Sequence, residues 1–483
     1  MTQEFTKQFI NGEWIKGSSN STIDNINPFT TKPINAIPSA NEDDLNKAYQ
    51  SAENAQAIWQ ETSPSERQGY FMNLLEVLKK EKESIIDWLV QESGSTRIKA
   101  NVEYNITYNV VKEAHSFPTR MTGSILPSDT KGKENFVYRN PKGVIGVIGP
   151  WNFPLYLAMR SVAPALGAGN TVVLKPASDT PITSGLLIAD LLERAGFPKG
   201  TINVVVGKGS EIGDAFITHP TPAMLSFTGS TEVGSHLAEL AGKDLKDTAL
   251  ELGGNNAMII LDDADIDEAV NSAVFGNFLH QGEICMAVNR LIVDEKIHDK
   301  FVEKFTEKVK QLKVGDPNEL ETVVGPIINH SQLVRIQDDL KKTIDEGATV
   351  QTQGSVHGNV MDPVVLSDVT NDMTMAQNEI FGPVAVIIKV KDEAAAINVA
   401  NDTPYGLSGS VFTGDRWRGL EVAKKVHTGM IHVNDQSVND EPHVAFGGEK
   451  NSGLGRFGGS WALDKFTTEK WISVQAEYRQ YPF

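Results

Sequence analysis

Cysteine is almost absent from this chain of 483 residues, in which Cys285 is the single example. One cysteine excludes an intrachain disulfide framework and a zinc site built from several thiolates. No apolar run approaches the roughly 18 residues needed to span a bilayer. The opening MTQEFTKQF also lacks the basic and then apolar pattern of a secretory signal. These absences predict a cytoplasmic protein without a metal site or a membrane contact.

Positive charge is also in deficit, because 44 lysines and arginines face 62 aspartates and glutamates, for a net charge of −18. That balance disfavours nonspecific attraction to nucleic acid and to anionic membranes. The chain is 40% hydrophobic and 22% charged, which is ordinary for a globular protein. At roughly 100–200 residues per domain, its length predicts two to four domains.

The pattern of apolar residues predicts α/β architecture. Residues 42–114 have helical periodicity, with Gly94 as a stop, whereas GVIGVIGP at 143–150 is typical of a buried parallel strand. Strand-like and helix-like segments then alternate, and a second such series runs from about residue 251 to 434. Residues 123–141 predict a hairpin, and FTTEKWISVQAEY predicts a long terminal strand. We therefore expect two α/β domains with a small β appendage.

Four motifs next to strand-like segments carry groups that could perform chemistry. PWNFP holds Asn152 between prolines, as an oxyanion donor or as a turn residue. LKPAS ends a strand with Lys175, which is either a ribose or phosphate ligand or a solvated lysine. FTGSTEVG places Gly229 and Ser230 at a helix start, as a phosphate site or a tight turn. LELGGN sets Glu251 before two glycines, as a general base or a solvated acid.

The fifth group is Cys285 itself, within HQGEICMAVNR. A lone cysteine is often simply part of a core. A thiol, a carboxylate, a fixed amide donor and a phosphate-ready helix start nevertheless serve one chemistry together. That chemistry is covalent capture of a carbonyl followed by removal of hydride.

In this combination the chain resembles the NAD(P)-dependent aldehyde dehydrogenase superfamily, in order from FINGEW to FTTEKW. The resemblance rests on PWNFP, LKPAS, FTGSTEVG, LELGGN, QGEIC, NEIFGPV and FGGEKNSGLGR. The segments FPLYLAMRSVAPAL, FLHQGEICMAVNR and FTTEKWISVQ are most similar to the benzaldehyde and vanillin dehydrogenase branch. The resemblance implies a Rossmann-like cofactor domain (1–122 and 142–252), an α/β catalytic domain (253–450) and a β oligomerisation appendage (123–141 and 460–483).

The resemblance also implies the roles of individual residues. Cys285 would be the nucleophile, Glu251 the general base, and Asn152 with the Cys285 N–H the oxyanion hole. NAD or NADP would be the cofactor, with Lys175 at the adenosine ribose and Ser230 at the pyrophosphate. Glu379 would bind the nicotinamide ribose, and Phe381 would pack near the nicotinamide. The implied cofactor contacts are Pro150, Trp151, Lys175, Ser178, Gly207, Gly229, Ser230, Leu252, Glu379 and Phe381.

Three positions depart from the family pattern. Ser178, followed by Asp179, stands where the family carries an acid that binds the adenosine ribose. Because a serine repels a 2′-phosphate less than a carboxylate does, this position predicts use of both NAD and NADP. Phe457 stands where many members have an acid, which argues against a second carboxylate in proton relay. Glu283 replaces the usual glutamine, and no consequence follows from the sequence.

The motif alignment places six residues around the aldehyde: Leu157, Arg160, Ile284, Met286, His443 and Phe446. An apolar slot with one cation and one imidazole suits an aromatic aldehyde. A broad aliphatic specificity and generic packing of these residues stay open. Two other classes also remain: a nucleotide-independent hydrolase using Cys285 with His280, and a noncatalytic protein. The resemblance further implies a homodimer or homotetramer, with the hairpin and the tail crossing to a neighbour.

Overall fold

The computed structural model describes residues 4–483, which form a succession of strands and helices. The strands are β1 (Gln8–Ile10), β2 (Glu13–Ile15), β3 (Thr22–Ile26), β4 (Pro33–Pro38), β5 (Ser124–Leu126), β6 (Lys133–Pro141), β7 (Val144–Ile148), β8 (Thr171–Lys175), β9 (Ile202–Val204), β10 (Met224–Thr228), β11 (Asp247–Glu251), β12 (Asn256–Ile260), β13 (Val288–Asp294), β14 (Thr349–Val350), β15 (Val356–His357), β16 (Val360–Met361), β17 (Val364–Ser367), β18 (Val384–Val390), β19 (Tyr405–Gly406), β20 (Gly409–Phe412), β21 (His432–Val433), β22 (Glu449–Lys450), β23 (Gly453–Leu454) and β24 (Thr467–Gln475).

The α-helices connect these strands and cover the sheets. They are α1 (Glu42–Trp59), α2 (Pro64–Ser93), α3 (Arg97–Ala114), α4 (Phe117–Arg120), α5 (Pro154–Gly167), α6 (Leu187–Arg194), α7 (Asp214–Thr218), α8 (Thr231–Lys243), α9 (Ile266–Phe278), α10 (His298–Val309), α11 (His330–Asp345), α12 (Thr374–Gln377), α13 (Glu393–Asn401), α14 (Arg416–Ala423) and α15 (Gly459–Lys465). Short π-helical turns precede α6 and α7, and a 3₁₀ turn follows α9.

The first sheet has eight strands in the order β2-β1-β9-β8-β7-β10-β11-β23. Its five central strands, β9 to β11 in that order, are parallel. Strands β7 and β8 are rich in β-branched residues and almost entirely buried, as strands covered on both faces must be. Strand order reverses between β7 and β10, and such a reversal opens a crevice for ligands at the carboxyl ends of the strands. The prediction of a parallel α/β sheet is confirmed.

The second sheet has seven strands in the order β14-β17-β18-β13-β12-β20-β21. All its pairings are parallel except that of β14 with β17. Its order reverses between β12 and β20. The predicted second α/β unit is therefore also confirmed, and the segment that carries Cys285 enters this sheet through β13.

The third sheet joins distant parts of the chain, because β24 pairs with β6 along its full length and β5 pairs with the other edge of β6. The hairpin and the terminal strand expected from the sequence are both present. The domain boundaries themselves stay predictions, and β23 already returns to the edge of the first sheet beside β11.

Helix ends and burial explain how the site is supported. Helix α2 ends at Gly94, whose φ of 66° is left-handed and favours glycine, as the sequence predicts. Every residue of α5 is buried. Its sequence PLYLAMRSVAPALG is apolar on every face of the helix, with only a few polar residues, as expected for a helix enclosed in a core. Helix α3 packs against α5. Among the described helices, none has the length and apolar character required to cross a membrane.

Candidate active site

The predicted cofactor residues of the first sheet gather along one edge. Because β7 to β11 are parallel, their carboxyl ends meet at that edge. Pro150 and Trp151 follow β7, Lys175 ends β8, Gly207 follows β9, Gly229 and Ser230 follow β10, and Leu252 follows β11. The fold thus brings together seven of the ten predicted cofactor contacts, from five separate segments.

Two groups at this edge suit an anionic ligand. Ser230 caps the start of α8, where its Oγ accepts a hydrogen bond from the Val233 N–H at 3.4 Å. Lys175 is 6% exposed, and no described residue contributes a charge or a hydrogen bond to the shift of its pKa. Burial lowers the pKa of Lys175 to about 8. A buried lysine without a partner is a suitable contact for a ribose or phosphate oxygen.

A loop of the second unit reaches the same edge. The Gly254 N–H donates to Glu379 Oε1 at 2.9 Å, and burial raises the pKa of Glu379 to about 7. The rings of Trp151 and Phe381 meet edge to face at 5.3 Å between centroids. Phe381 has a left-handed φ of 48° and is held there by Gln332, whose Nε2 donates to its carbonyl at 2.7 Å. Glu379 and Phe381 therefore join the predicted cofactor set.

Ser178, the remaining member of that set, is exposed just beyond the end of β8. The carboxylate of its neighbour, Asp179, accepts a hydrogen bond from Asn329 Nδ2 at 3.0 Å. Asp179 is therefore engaged with the second unit, and position 178 itself offers a hydroxyl rather than a charge.

The segment before Cys285 has an unusual backbone. His280 and Gln281 have left-handed φ values of 50° and 55°, which are uncommon for residues with side chains. Two hydrogen bonds fix Gln281, from its Nε2 to the Pro326 carbonyl at 2.8 Å and from the Gly325 N–H to its Oε1 at 3.0 Å. Strain of this kind persists where surrounding contacts determine it, and it often occurs at functional sites.

Residues of the segment LELGGNN, 250–256, hold the cysteine from the other side. Asn256 Nδ2 donates to the carbonyls of Cys285 and Ala287, both at 2.8 Å. A Cβ at Gly254 would lie 2.3 Å from the Cys285 carbonyl oxygen, so this close approach requires glycine. The two motifs that were separate in the sequence form one packed unit.

Cys285 lies beside Glu251, the last residue of β11. The thiol is 9% exposed and Glu251 is fully buried. Burial and then the Glu251 carboxylate raise the pKa of Cys285 well above its usual range. Burial also raises the pKa of Glu251, and Arg160 opposes that rise. The pair places the thiol next to a carboxyl group that can exchange a proton with it.

Two amide donors face the cysteine. Asn152 Nδ2 donates to the Glu283 carbonyl at 3.1 Å, two residues before Cys285. The Cys285 backbone N–H donates to no other described residue. Asn152 and Cys285 line the same cavity. An unpaired N–H and a fixed side-chain amide around one thiol are the elements of an oxyanion hole.

The cavity at Cys285 is apolar. Four of the six residues predicted around the aldehyde line it: Leu157, Ile284, Met286 and Phe446. The other two do not line its described walls. Arg160 is buried on α5, behind the wall, where its Nη2 bonds Glu251 Oε2 at 3.1 Å. His443 points outward with 65% of its side chain exposed, 3.6 Å from Glu441, because its segment turns at the protein surface. The positions of both residues depend on tertiary packing, which a motif alignment does not contain.

The sequence also missed several residues of the site. Val102 and Ile106 of α3, Phe275 of α9, Tyr156 of α5 and Asp440 all line the cavity. The spacing of four between Val102 and Ile106 marks one helix face, which a search for periodicity finds. The partner of that face, however, is set by how α3 packs against α5.

A nucleotide-independent hydrolase would need His280 beside Cys285, and the structure disfavours that arrangement. His280 is fully buried and burial lowers its pKa well below the usual value. Its ring packs edge to face on Phe153 at 5.7 Å, and it is not among the described residues lining the Cys285 cavity. Glu251 is the titratable group next to the thiol.

Comparisons with known proteins agree with this geometry. Residues 14–472 match the sequence model of the aldehyde dehydrogenase family. The chain is 51% identical to a vanillin dehydrogenase of Corynebacterium glutamicum, over 97% of this chain and 98% of that protein. It is 50% identical to a benzaldehyde dehydrogenase of Bacillus subtilis, over 100% and 99% of the two chains. The crystal structure of an NAD-dependent benzaldehyde dehydrogenase from Corynebacterium glutamicum superposes with a TM-score of 0.92 at 46% identity, covering 100% and 99% of the chains. The chain belongs to the aldehyde dehydrogenase family.

Proposed function

We propose that this protein oxidises aromatic aldehydes of the benzaldehyde and vanillin type to carboxylic acids, with NAD⁺ or NADP⁺ as the hydride acceptor. The observation that carries the proposal is the placement of Cys285 beside Glu251 and Asn152 at an apolar cavity. Aldehyde, water and oxidised nucleotide give the acid, reduced nucleotide and a proton.

Cys285 forms the first bond. The thiolate is the nucleophile, and the raised pKa of Cys285 means that the thiol must lose its proton to a neighbour as it reacts. Glu251 is the carboxylate in place to accept that proton. The sulfur then adds to the aldehyde carbon, and the carbonyl oxygen becomes an alkoxide.

Asn152 Nδ2 and the Cys285 N–H stabilise that alkoxide. Donors aimed at a developing oxyanion act strongly where water is excluded, and this cavity is lined almost wholly by carbon. NAD(P)⁺, when bound, supplies the hydride acceptor, so that the sulfur adduct becomes a thioester.

Glu251 completes the turnover as a general base. Once the proton taken from Cys285 has been released to solvent, its carboxylate removes a proton from water and the water oxygen attacks the thioester carbon. The acid leaves, and the proton held by Glu251 returns to the sulfur of Cys285. The Oε1 atom of Glu251 has no hydrogen-bond partner among the described groups, so one oxygen is free for this task.

The preference for aromatic substrates is supported by the relatives and by the cavity. Relatives that are about half identical to this chain over nearly its full length include a vanillin dehydrogenase and a benzaldehyde dehydrogenase. Leu157, Phe275, Phe446 and Ile106 present the apolar surface on which an aromatic ring packs. A broad aliphatic specificity is the competing candidate, since the same surface accepts an alkyl chain.

Residues of the sheet edge would hold the nucleotide. The unpartnered Lys175 suits the adenosine ribose, the α8 start at Ser230 suits the pyrophosphate, and Glu379 suits the nicotinamide ribose. Because Ser178 carries no charge, we expect both NAD⁺ and NADP⁺ to be used. Replacing Ser178→Glu should lower the kcat/KM for NADP⁺ and leave that for NAD⁺ nearly unchanged. A wild-type efficiency with NADP⁺ a thousandfold or more below that with NAD⁺ would refute dual use.

One experiment tests the function. NADH and NADPH formation are measured with benzaldehyde, vanillin, salicylaldehyde and hexanal, for the wild type and for Cys285→Ala. We expect turnover of the aromatic aldehydes and none in the variant. Much faster turnover of hexanal would favour the aliphatic alternative. Ester or thioester hydrolysis without reduced nucleotide would favour a hydrolase.

The chain is also proposed to form a homodimer or homotetramer through its third sheet. Large apolar side chains on this sheet are exposed, namely Ile125, Leu126, Tyr138, Trp471 and Val474. Exposed clusters of this kind typically mark interfaces. Trp471→Glu should reduce the mass measured by light scattering, whereas a monomeric wild type would contradict the proposal. The cytoplasmic location stays a prediction.

A further inference from the structure

Arg160 is a buried cation placed directly behind the catalytic carboxylate. It lies on α5 with 4% of its surface exposed, and its Nη2 is 3.1 Å from Glu251 Oε2. Its guanidinium stacks between two rings, 4.2 Å from the centroid of Phe446 and 4.6 Å from that of Phe457. Stacking on two aromatic faces fixes the plane of the guanidinium and therefore the direction of its donors.

The other charged groups around Arg160 and Glu251 do not compete with Glu251 for the guanidinium. Arg160 Nη1 is 3.6 Å from Asp440, whose Oδ2 accepts a hydrogen bond from the Tyr156 hydroxyl. Burial, with Glu441 nearby, raises the pKa of Asp440 to about 8, so Asp440 is largely neutral at pH 7. The other titratable groups that face Glu251 are Cys285 and Glu379. Both disfavour its ionised form when they are charged, whereas Arg160, together with a hydrogen bond from the neutral Cys285 thiol, favours it.

The hydrogen bonding of the pair is one-sided. Glu251 Oε2 is bonded to Arg160, whereas Glu251 Oε1 lacks any partner in the described part of the chain. Arg160 Nη1 likewise makes no hydrogen bond there, and Asp440 lies 3.6 Å from it. A buried ion pair that serves stability alone is usually bonded on both sides. Here one carboxylate oxygen is fixed and the other is left free.

We propose that Arg160 is a positioning residue for the reaction: it fixes Glu251 by one oxygen, so that the other oxygen accepts the proton of the hydrolytic water. This inference rests on the proposed function. It also assigns a use to the sequence change at Phe457, because an aromatic ring there packs on the guanidinium where an acid would compete with Glu251 for it.

Removal of the arginine charge has a direction that can be measured. Without Arg160 the pKa of Glu251 rises further, because burial is then opposed by fewer favourable contacts. A larger fraction of the base is then protonated at any given pH, and the acidic limb of the kcat profile moves to higher pH. Arg160 also lowers the pKa of Cys285, so the first turnover slows too, but its amplitude should stay stoichiometric.

The test compares Arg160→Met and Arg160→Lys with the wild type, using benzaldehyde and NAD⁺. Steady-state kcat is measured from pH 6 to 10, and stopped-flow fluorescence follows the first NADH. For the methionine variant we expect kcat at pH 7 to fall on the order of ten- to a hundredfold, with the limb moved up by about one to two pH units and a stoichiometric burst. In the Arg160→Lys variant the acidic limb of the kcat profile should lie between those of Arg160→Met and the wild type.

Arg67→Met is the matched control, because Arg67 is another buried arginine. Its Nη2 donates to the carbonyls of Trp59, Gln60 and Thr62, and it meets no carboxylate. The Arg67→Met variant should lose thermal stability, and the acidic limb of its kcat profile should lie at the same pH as in the wild type. If Arg160→Met behaves in the same way, with unchanged limb and burst, the positioning role is wrong. If the methionine variant does not fold, Arg160→Gln is measured against the same criteria. A wild type that forms no NADH from any aldehyde would instead overturn the proposed function.

Discussion

Two ion pairs lie fully buried against the same helix, α5, and they differ in how completely they are bonded. At its start, Lys99 Nζ donates to Glu103 Oε2 at 2.5 Å, to the Asn152 carbonyl at 2.6 Å and to Ser95 Oγ at 2.9 Å. The other Glu103 oxygen accepts the N–H groups of Leu155 and Tyr156 at 2.9 and 3.1 Å. All three ammonium protons and both carboxylate oxygens are thus engaged.

One turn further along α5, the Arg160–Glu251 pair is incomplete. Glu251 Oε1 and Arg160 Nη1 make no hydrogen bond with residues 4–483. Both pairs carry the cost of removing charges from water, but only the first is compensated on every side. The difference separates their roles: the Lys99 pair fixes the backbone that carries Asn152, and the Arg160 pair keeps an oxygen available for reaction.

Comparison of the two ion pairs predicts that the largest loss of activity follows substitution of Asn152, whose backbone the Lys99–Glu103 pair supports. Stability should change little. Asn152→Ala removes one oxyanion donor and should lower kcat on the order of 10²–10³-fold. The melting temperature should change little, because only the bond to Glu283 is lost. Asn101→Ala is the control, since it removes a comparable bond, from Nδ2 to the Arg97 carbonyl on α3. Retention of more than half of the wild-type kcat in Asn152→Ala would contradict the assignment.

Lys99→Met should give the largest loss of stability. It leaves the Glu103 carboxylate buried and unpaired, which costs about 3–5 kcal/mol. Denaturant midpoints and melting temperatures measure this loss, and the double variant with Glu103→Gln should recover part of it. The acidic limb of kcat should stay where it is in the wild type. An unfolding free energy within about 1 kcal/mol of the wild type would show that the first pair contributes little net stability.

A smaller effect should follow Phe457→Leu, which removes one of the two rings that stack on Arg160. The contact is worth about 0.5–2 kcal/mol, so we expect a slight loss of stability and a kcat at pH 7 within about threefold of the wild type. Phe305→Leu serves as the control for loss of a buried ring, because Phe305 stacks on Phe301 in another core. A limb displaced as far as in Arg160→Met would mean that stacking, rather than the hydrogen bond, holds Glu251.

Much of the fold could be predicted from the sequence because local signals agree with tertiary structure there. The β-branched runs at β7 and β8 form buried parallel strands, and Gly94 ends its helix. Residues at strand ends, including Lys175 and Ser230, lie at one edge because parallel strands share a direction. In these cases a short segment determines its own conformation.

The two ion pairs could not be predicted, for physical reasons. Lys99 and Glu103 are four residues apart on a helix, a spacing typical of solvated pairs, and only the packing of α3 on α5 buries them. Arg160 meets Glu251 across 91 positions of sequence, so neither residue carries a local sign of the other. The exposure of His443 likewise depends on the path of the loop around it.

The most direct test of the account is intact-protein mass spectrometry of Glu251→Gln after mixing with benzaldehyde and NAD⁺. If Glu251 is the base that releases the thioester, the variant should form a stoichiometric amount of NADH, more slowly than the wild type because the thiol has also lost its proton acceptor. It should then accumulate one benzoyl group on Cys285. Cys285→Ala should show neither signal. Undiminished steady turnover by Glu251→Gln without an adduct, or an adduct that survives in Cys285→Ala, would contradict it.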